Sequence, residues 1–178
     1  MILLEQQVCS LELATKLKQL GIQQKSLFYW VVGLEISVFP EDDEDSYESW
    51  FDEEAEEICT SDRAKTAIEI KDSGDWEDER AKSVDYYSAF TVAELGEILP
   101  ARIRNEKTGN LDFLRMHKGD DSRQDVRDNF TAEYHTTFEP PLCRITADSE
   151  ANCRAKMLIY LIEHNLYDPQ TQKKQTTV

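Results

Sequence analysis

A chain of 178 residues carrying 36 acidic and 20 basic side chains has a net charge of −16, and 40% of it is hydrophobic. That length suits one domain with a closed core, and the apolar fraction excludes wholesale disorder. Nineteen acids and five bases fall between Glu41 and Asp85, a net of −14, which leaves the remainder nearly neutral at −2. Such a balance argues against direct nucleic-acid binding, which needs clustered Lys and Arg, and against anionic membranes; the partners it favours are basic.

In chain order, Ser10 is placed to cap a helix with the apolar stripe Leu13, Ala14, Leu17 and Leu20, and Gly21 is its natural stop. "SLFYWVV", Ser26 to Val32, reads as a buried strand, and "EISVF", Glu35 to Phe39, is predicted to pair with it through Gly33. "PEDDEDSYESWFDEEAEEI", Pro40 to Ile58, follows. Wound as a helix, it puts Tyr47, Trp50, Phe51, Ala55 and Ile58 on one arc and Glu48, Asp52, Glu53, Glu56 and Glu57 opposite; Glu54 breaks the pattern. Like-charge pairs along that helix cost about 0.2–0.5 kcal/mol each, less than burial of Trp50 and Phe51 returns, so an ordered acidic helical insertion is expected.

Thr66 to Lys71 alternates like a strand, and the residues around Gly74 form a loop. Thr91 and Glu94 make a capping box for a helix with Val92, Leu95 and Leu99 on one side, stopped by Pro100. Strands are predicted at Ala101 to Arg104 and Leu111 to His117, turned at "KTGN", with a third at Asn129 to Phe138 closed by Pro140 and Pro141. From Thr146 a helix carries Ala151, Ala155, Leu158, Ile159, Ile162 and Leu166 across the sheet, ending at Asp168-Pro169. Hairpin links in place of crossovers give an α+β fold: an antiparallel sheet packed by N- and C-terminal helices, one domain over 1–167 with the acidic insertion at 41–85, and a polar tail at 168–178.

Cys9, Cys59, Cys143 and Cys153 form no C-x-x-C pair and are expected to be buried, reduced thiols of a cytosolic protein. The phosphate-loop, dinucleotide, zinc-protease and nucleophile-elbow motifs are all missing from the sequence. Asp112 with His117, or Glu133 with His135, are the pairs that neighbouring strands could bring together for a metal or for acid–base work; as exposed strand residues they need no such role. Glu41 to Asp45 lacks the glycine and the spaced glutamate of a calcium loop. No catalytic residue, metal or cofactor is therefore expected.

Three segments, "VCSLELATKLKQLGIQQKSLFYWV" (Val8 to Val31), "YSAFTVAELGEILP" (Tyr87 to Pro100) and "RAKMLIYLIEHNL" (Arg154 to Leu166), together resemble a family of small uncharacterised proteins of phages, prophages and related mobile DNA. The resemblance implies a bacterial cytoplasm during phage life as the setting, and it assigns no activity and no functional residue.

A stiff carboxylate array imitates nucleic acid, which carries roughly one charge per 1.7 Å of duplex axis, and fits the Lys/Arg channel of a nucleic-acid enzyme. The expected function is a non-enzymatic, phage-associated binding or inhibitor protein whose acidic surface engages a basic host protein, a defence nuclease such as a CRISPR effector being one such target. Its binding residues are Glu41, Asp42, Asp43, Glu44, Asp45, Glu48, Asp52, Glu53, Glu56 and Glu57. The alternative is a small accessory interaction module that uses the groove between the Leu13 helix and the Ile159 helix, its acids conferring solubility only. An enzyme would require Glu133, His135 or His117 to converge in a pocket.

Overall fold

The computed structural model of the chain describes residues 4–32, 56–62, 85–106, 108–119, 129–136 and 140–170. Among these residues three α-helices, α1 (Leu11–Gln19), α2 (Val92–Ile98) and α3 (Glu150–Glu163), pack with two antiparallel sheets, and the fold is α+β. The first sheet has β1 (Phe28–Val32) at its centre, flanked by β2 (Glu56–Thr60) and β3 (Asp85–Ser88). The second runs β4 (Arg102–Arg104), β5 (Leu111–Lys118), β6 (Phe130–His135) and β7 (Cys143–Ala147), each strand beside the next in sequence.

The run "FYWVV" is apolar throughout because β1 is covered on both faces. Phe28 and Trp30 point into the main core, while Tyr29 and Val31 meet Cys59 and Tyr86 in a small cluster on the other face. Its two edges are taken as well: Trp30 lies opposite Ile58 of β2 and opposite Tyr87 of β3. This overturns the pairing expected for Glu35–Phe39, since no edge of β1 remains for it; that segment lies outside the described residues. The helical reading also fails at its C-terminal end. Glu56, Glu57 and Ile58 belong to β2, where alternation sends Ile58 to the main core and Cys59 to the opposite cluster, a two-sided burial that no single helical arc provides. Tyr47, Trp50, Phe51 and Ala55, the predicted strand Thr66–Lys71 and the loop around Gly74 all lie outside the described residues.

The main core forms where α3 lies across β6 and β7 and against α1 and α2. Ala151 and Ala155 on the helix, with Ala132 and Ala147 beneath, are fully or nearly fully buried; their small side chains let helix and sheet approach, and Leu158 and Leu161 fill the space beyond. Ser149, not Thr146, caps α3, its hydroxyl accepting from the Asn152 N–H, because Cys143–Ala147 is a strand with Cys143, Ile145 and Ala147 turned to the core. Close by, Ser10 occupies the N-cap of α1 without a side-chain cap bond; its N–H instead donates to Asn152 Oδ1 at 2.8 Å, joining α1 to α3.

Both α1 and α3 finish in the same way. The Gly21 and Ile22 N–H groups donate to the Lys18 and Leu17 carbonyls, and those of Asn165 and Leu166 to Ile162 and Leu161. This double bond pattern needs a left-handed residue, supplied by Gly21 at φ +83° and by Asn165 at φ +56°. The Thr91–Glu94 capping box on α2 and the strands β4 to β6 stand as expected. The Tyr134 hydroxyl donates to the Pro100 carbonyl, fastening β6 to the link between α2 and β4.

Candidate functional site

Eight of the ten acidic candidates, Glu41, Asp42, Asp43, Glu44, Asp45, Glu48, Asp52 and Glu53, lie outside the described residues. Glu56 and Glu57 sit in β2 with their backbones opposite Val32 and Val31. Residues leaving β1 at Val32 and returning at Glu56 and Asp85 therefore meet at one end of the first sheet, since Val32 lies opposite both.

The titratable pairs separate cleanly. Asp112 and His117 occupy one strand at an odd spacing, so they face opposite ways: Asp112 is buried on the core side and accepts from Asn105 Nδ2 at 3.0 Å, while His117 lies on the outer side. Glu133 and His135 do come together, with His135 Nε2 at 3.4 Å from Glu133 Oε1. The Glu133 carboxylate, 8% exposed, is already held by Arg144 from β7, whose Nε and Nη2 reach Oε2 at 3.0 and 2.9 Å. Among the described residues no three His, Cys, Asp or Glu side chains are placed to share a metal ion. With Glu133 Oε2 held by Arg144 from the neighbouring strand, this cluster reads as a cross-strand ion pair.

All four thiols are buried and unpaired with one another. Desolvation pushes Cys9 from 9.0 up to about 12 and Cys153 to about 11, and raises Cys143 as well, the reverse of what a nucleophilic thiol needs. An unfolded chain ionises its thiols near their ordinary value while the native chain keeps Cys9 protonated to about 12. Stability is thus intact below pH 9 and falls as pH rises toward 12, by about 1.4 kcal/mol per pH unit for each such thiol once the unfolded form has ionised. Urea titrations across that range should show the midpoint falling. Iodoacetamide should label Cys9 and Cys153 only after unfolding; rapid native labelling of either would contradict their burial.

The groove expected between the Leu13 and Ile159 helices is present. It measures about 550 Å³, is floored by Leu13 and Ile159, and is rimmed by Glu12, Lys16, Lys156 and Glu163. Lys16 Nζ and Glu163 Oε1 close one side at 2.9 Å, an exposed pair of small energetic weight.

One set of residues escaped the sequence reading. In the four-stranded sheet, alternation and register bring Arg102 and Arg104 of β4, Arg115 of β5 and Arg144 of β7 to the face turned away from α3. They are spread over 43 residues of sequence and form no run of charge. The available signal was "RIR" followed by alternation in "LDFLRMH", which assigns faces within each strand; the pairing of Arg102 with Phe113 was needed to align those faces.

Compared with known proteins, the chain matches no protein-family model, no curated protein and no solved structure. No helix among the described residues is long and apolar enough to cross a membrane.

Proposed function

We propose that this chain is a non-enzymatic, phage-associated binding protein whose acidic segment, Glu41 to Asp85, engages the basic surface of a host nucleic-acid enzyme in the bacterial cytoplasm. The observation that carries this reading is the confinement of −14 of the −16 charges to 45 of the 178 residues. A field so localised raises encounter rates with a Lys/Arg-lined channel and is strongly weakened by salt. The chemistry of the remaining chain supports a binding role: its protonated thiols, the Arg144-held Glu133 and the Asn105-bound Asp112 are engaged in structure.

The test follows from the anchoring of the segment. Deleting Glu41 to Asp85 would remove β2 and the first residue of β3, and with them both neighbours of Val32, so loss of binding after deletion would report misfolding. Neutralising Glu41, Asp42, Asp43, Glu44, Asp45, Glu48, Asp52 and Glu53 to Gln and Asn leaves those strands alone. With a nuclease captured from the host at low salt, the neutralised protein is expected to lose at least tenfold in affinity, and the parent protein to lose affinity steeply as salt rises. Affinity indifferent to both treatments would remove the acidic segment from the interface. The second reading, an accessory module docking through the α1–α3 groove, is favoured by Leu13 and Ile159 flooring that groove, and predicts that Ile159→Glu abolishes partner capture while the neutralised variant retains it.

A further inference from the structure

We infer that the outer face of the four-stranded sheet is a binding surface for single-stranded nucleic acid, a role independent of the acidic segment. Four guanidinium groups, from Arg102, Arg104, Arg115 and Arg144, share this face with one strand carboxylate, Glu133, and that carboxylate is held by Arg144. The side chains of Arg102, Arg104 and Arg115 have no hydrogen bond or ion pair among the described residues. The sheet is only about 14 Å wide from β4 to β7, three interstrand steps, so these charges lie within roughly two screening lengths of one another.

The same face carries two of the three large apolar side chains exposed among the described residues, Leu111 at 45% and Phe113 at 52%. Each lies directly opposite an arginine: Phe113 across from Arg102, Leu111 across from Arg104. Exposed apolar surface and crowded like charge both oppose folding, and among the described residues Phe113, Leu111 and the side chains of Arg102, Arg104 and Arg115 find no partner. The ligand that satisfies both at once has phosphates for the guanidinium groups and accessible flat rings for Phe113. Single-stranded nucleic acid has both; a duplex keeps its rings stacked inside, and an acidic peptide supplies the charge alone. The overall charge of −16 opposes approach from a distance. It is screened beyond about 8 Å at physiological salt, so contact is decided by the local face.

Titrating the full chain into a fluorescent oligothymidine and reading anisotropy tests this. Oligothymidine is expected to bind at low salt, with affinity falling about twentyfold for a roughly fourfold rise in salt if three phosphates are neutralised. Phe113→Ala should weaken it about tenfold or more, Phe113→Trp should retain it, and Arg102→Gln with Arg104→Gln should flatten the logarithmic salt slope by about 1.4. All of these positions are exposed, so thermal unfolding of each variant should match the parent and confirm the fold. Three results would overturn the inference: absence of binding at low salt, binding unchanged by all the variants, or equal binding of polyglutamate of matched charge, which would give the face to an acidic protein instead.

Discussion

Replacing Phe90 by alanine is expected to cost about 3–5 kcal/mol and to lower the melting temperature by about 6–20 °C for a chain of this size. Phe90 is 1% exposed and belongs to the main core, between the end of β3 and the start of α2. Its carbonyl accepts from the Cys9 N–H at 2.9 Å, and the Cys9 carbonyl accepts from Trp30 Nε1 at 2.8 Å. The ring therefore packs a joint that these hydrogen bonds already fix in place, and the cavity left by truncation cannot collapse easily. Stabilities of single domains run to about 5–15 kcal/mol, so the loss is a large share of the total. Urea unfolding followed by the fluorescence of buried Trp30 measures it. A cost below about 1 kcal/mol would mean that the joint relaxes freely and that the core is less tightly defined than its burial indicates.

Glu94→Ala is expected to be the most damaging substitution of a charged residue, at about 2–3 kcal/mol. The Glu94 carboxylate does more than close a capping box. Oε2 accepts from the Thr91 N–H at 2.8 Å and the Thr91 hydroxyl at 2.9 Å, and Oε1 accepts from the Leu27 N–H at 2.9 Å. The Ser26 hydroxyl lies 2.9 Å from Oε2 and 3.2 Å from the Ala89 carbonyl, with one hydrogen to share between them. One side chain thus ties the start of α2 to the approach to β1, 67 residues earlier in sequence. Hydrogen bonds to a charged acceptor contribute about 1.5–3 kcal/mol each when buried, discounted here because the site is partly open to solvent. Thr91→Ala removes the N-cap alone and should cost only about 1 kcal/mol, so the excess of Glu94→Ala over Thr91→Ala measures the tie to Ser26 and Leu27. A double-mutant cycle between Ser26→Ala and Glu94→Ala should show coupling, and strict additivity would refute the tie.

These two residues show what sequence can and cannot disclose. The capping box was legible because Thr91 and Glu94 lie three apart, and Gly21 was legible because a glycine after an apolar stripe has one common use. The reach of Glu94 to Ser26 and Leu27 was not, since nothing local specifies a partner 67 residues away. The same limit explains β7. "CRITA" alternates as a strand, but it abuts the α3 pattern, and a helix extended back to Thr146 took its last two residues. For β2 the obstacle was different: its residues fit an amphipathic helix equally well, and the long-range pairing with β1 overrode that local preference. The arginine face is the extreme case, composed entirely by register.

The meeting of Val32, Glu56 and Asp85 at one end of the first sheet has a consequence for how this molecule changes over generations. The stretch between β1 and β2 departs at Val32 and rejoins at Glu56, its partner on the neighbouring strand, so its closure is set by the ladder and depends weakly on its own length; doubling such a stretch costs only about 0.6 kcal/mol. That junction works as a socket. Sequence plugged in there can be lengthened, shortened or recharged while the ladder beneath keeps its spacing, which gives the molecule a place to diversify cheaply.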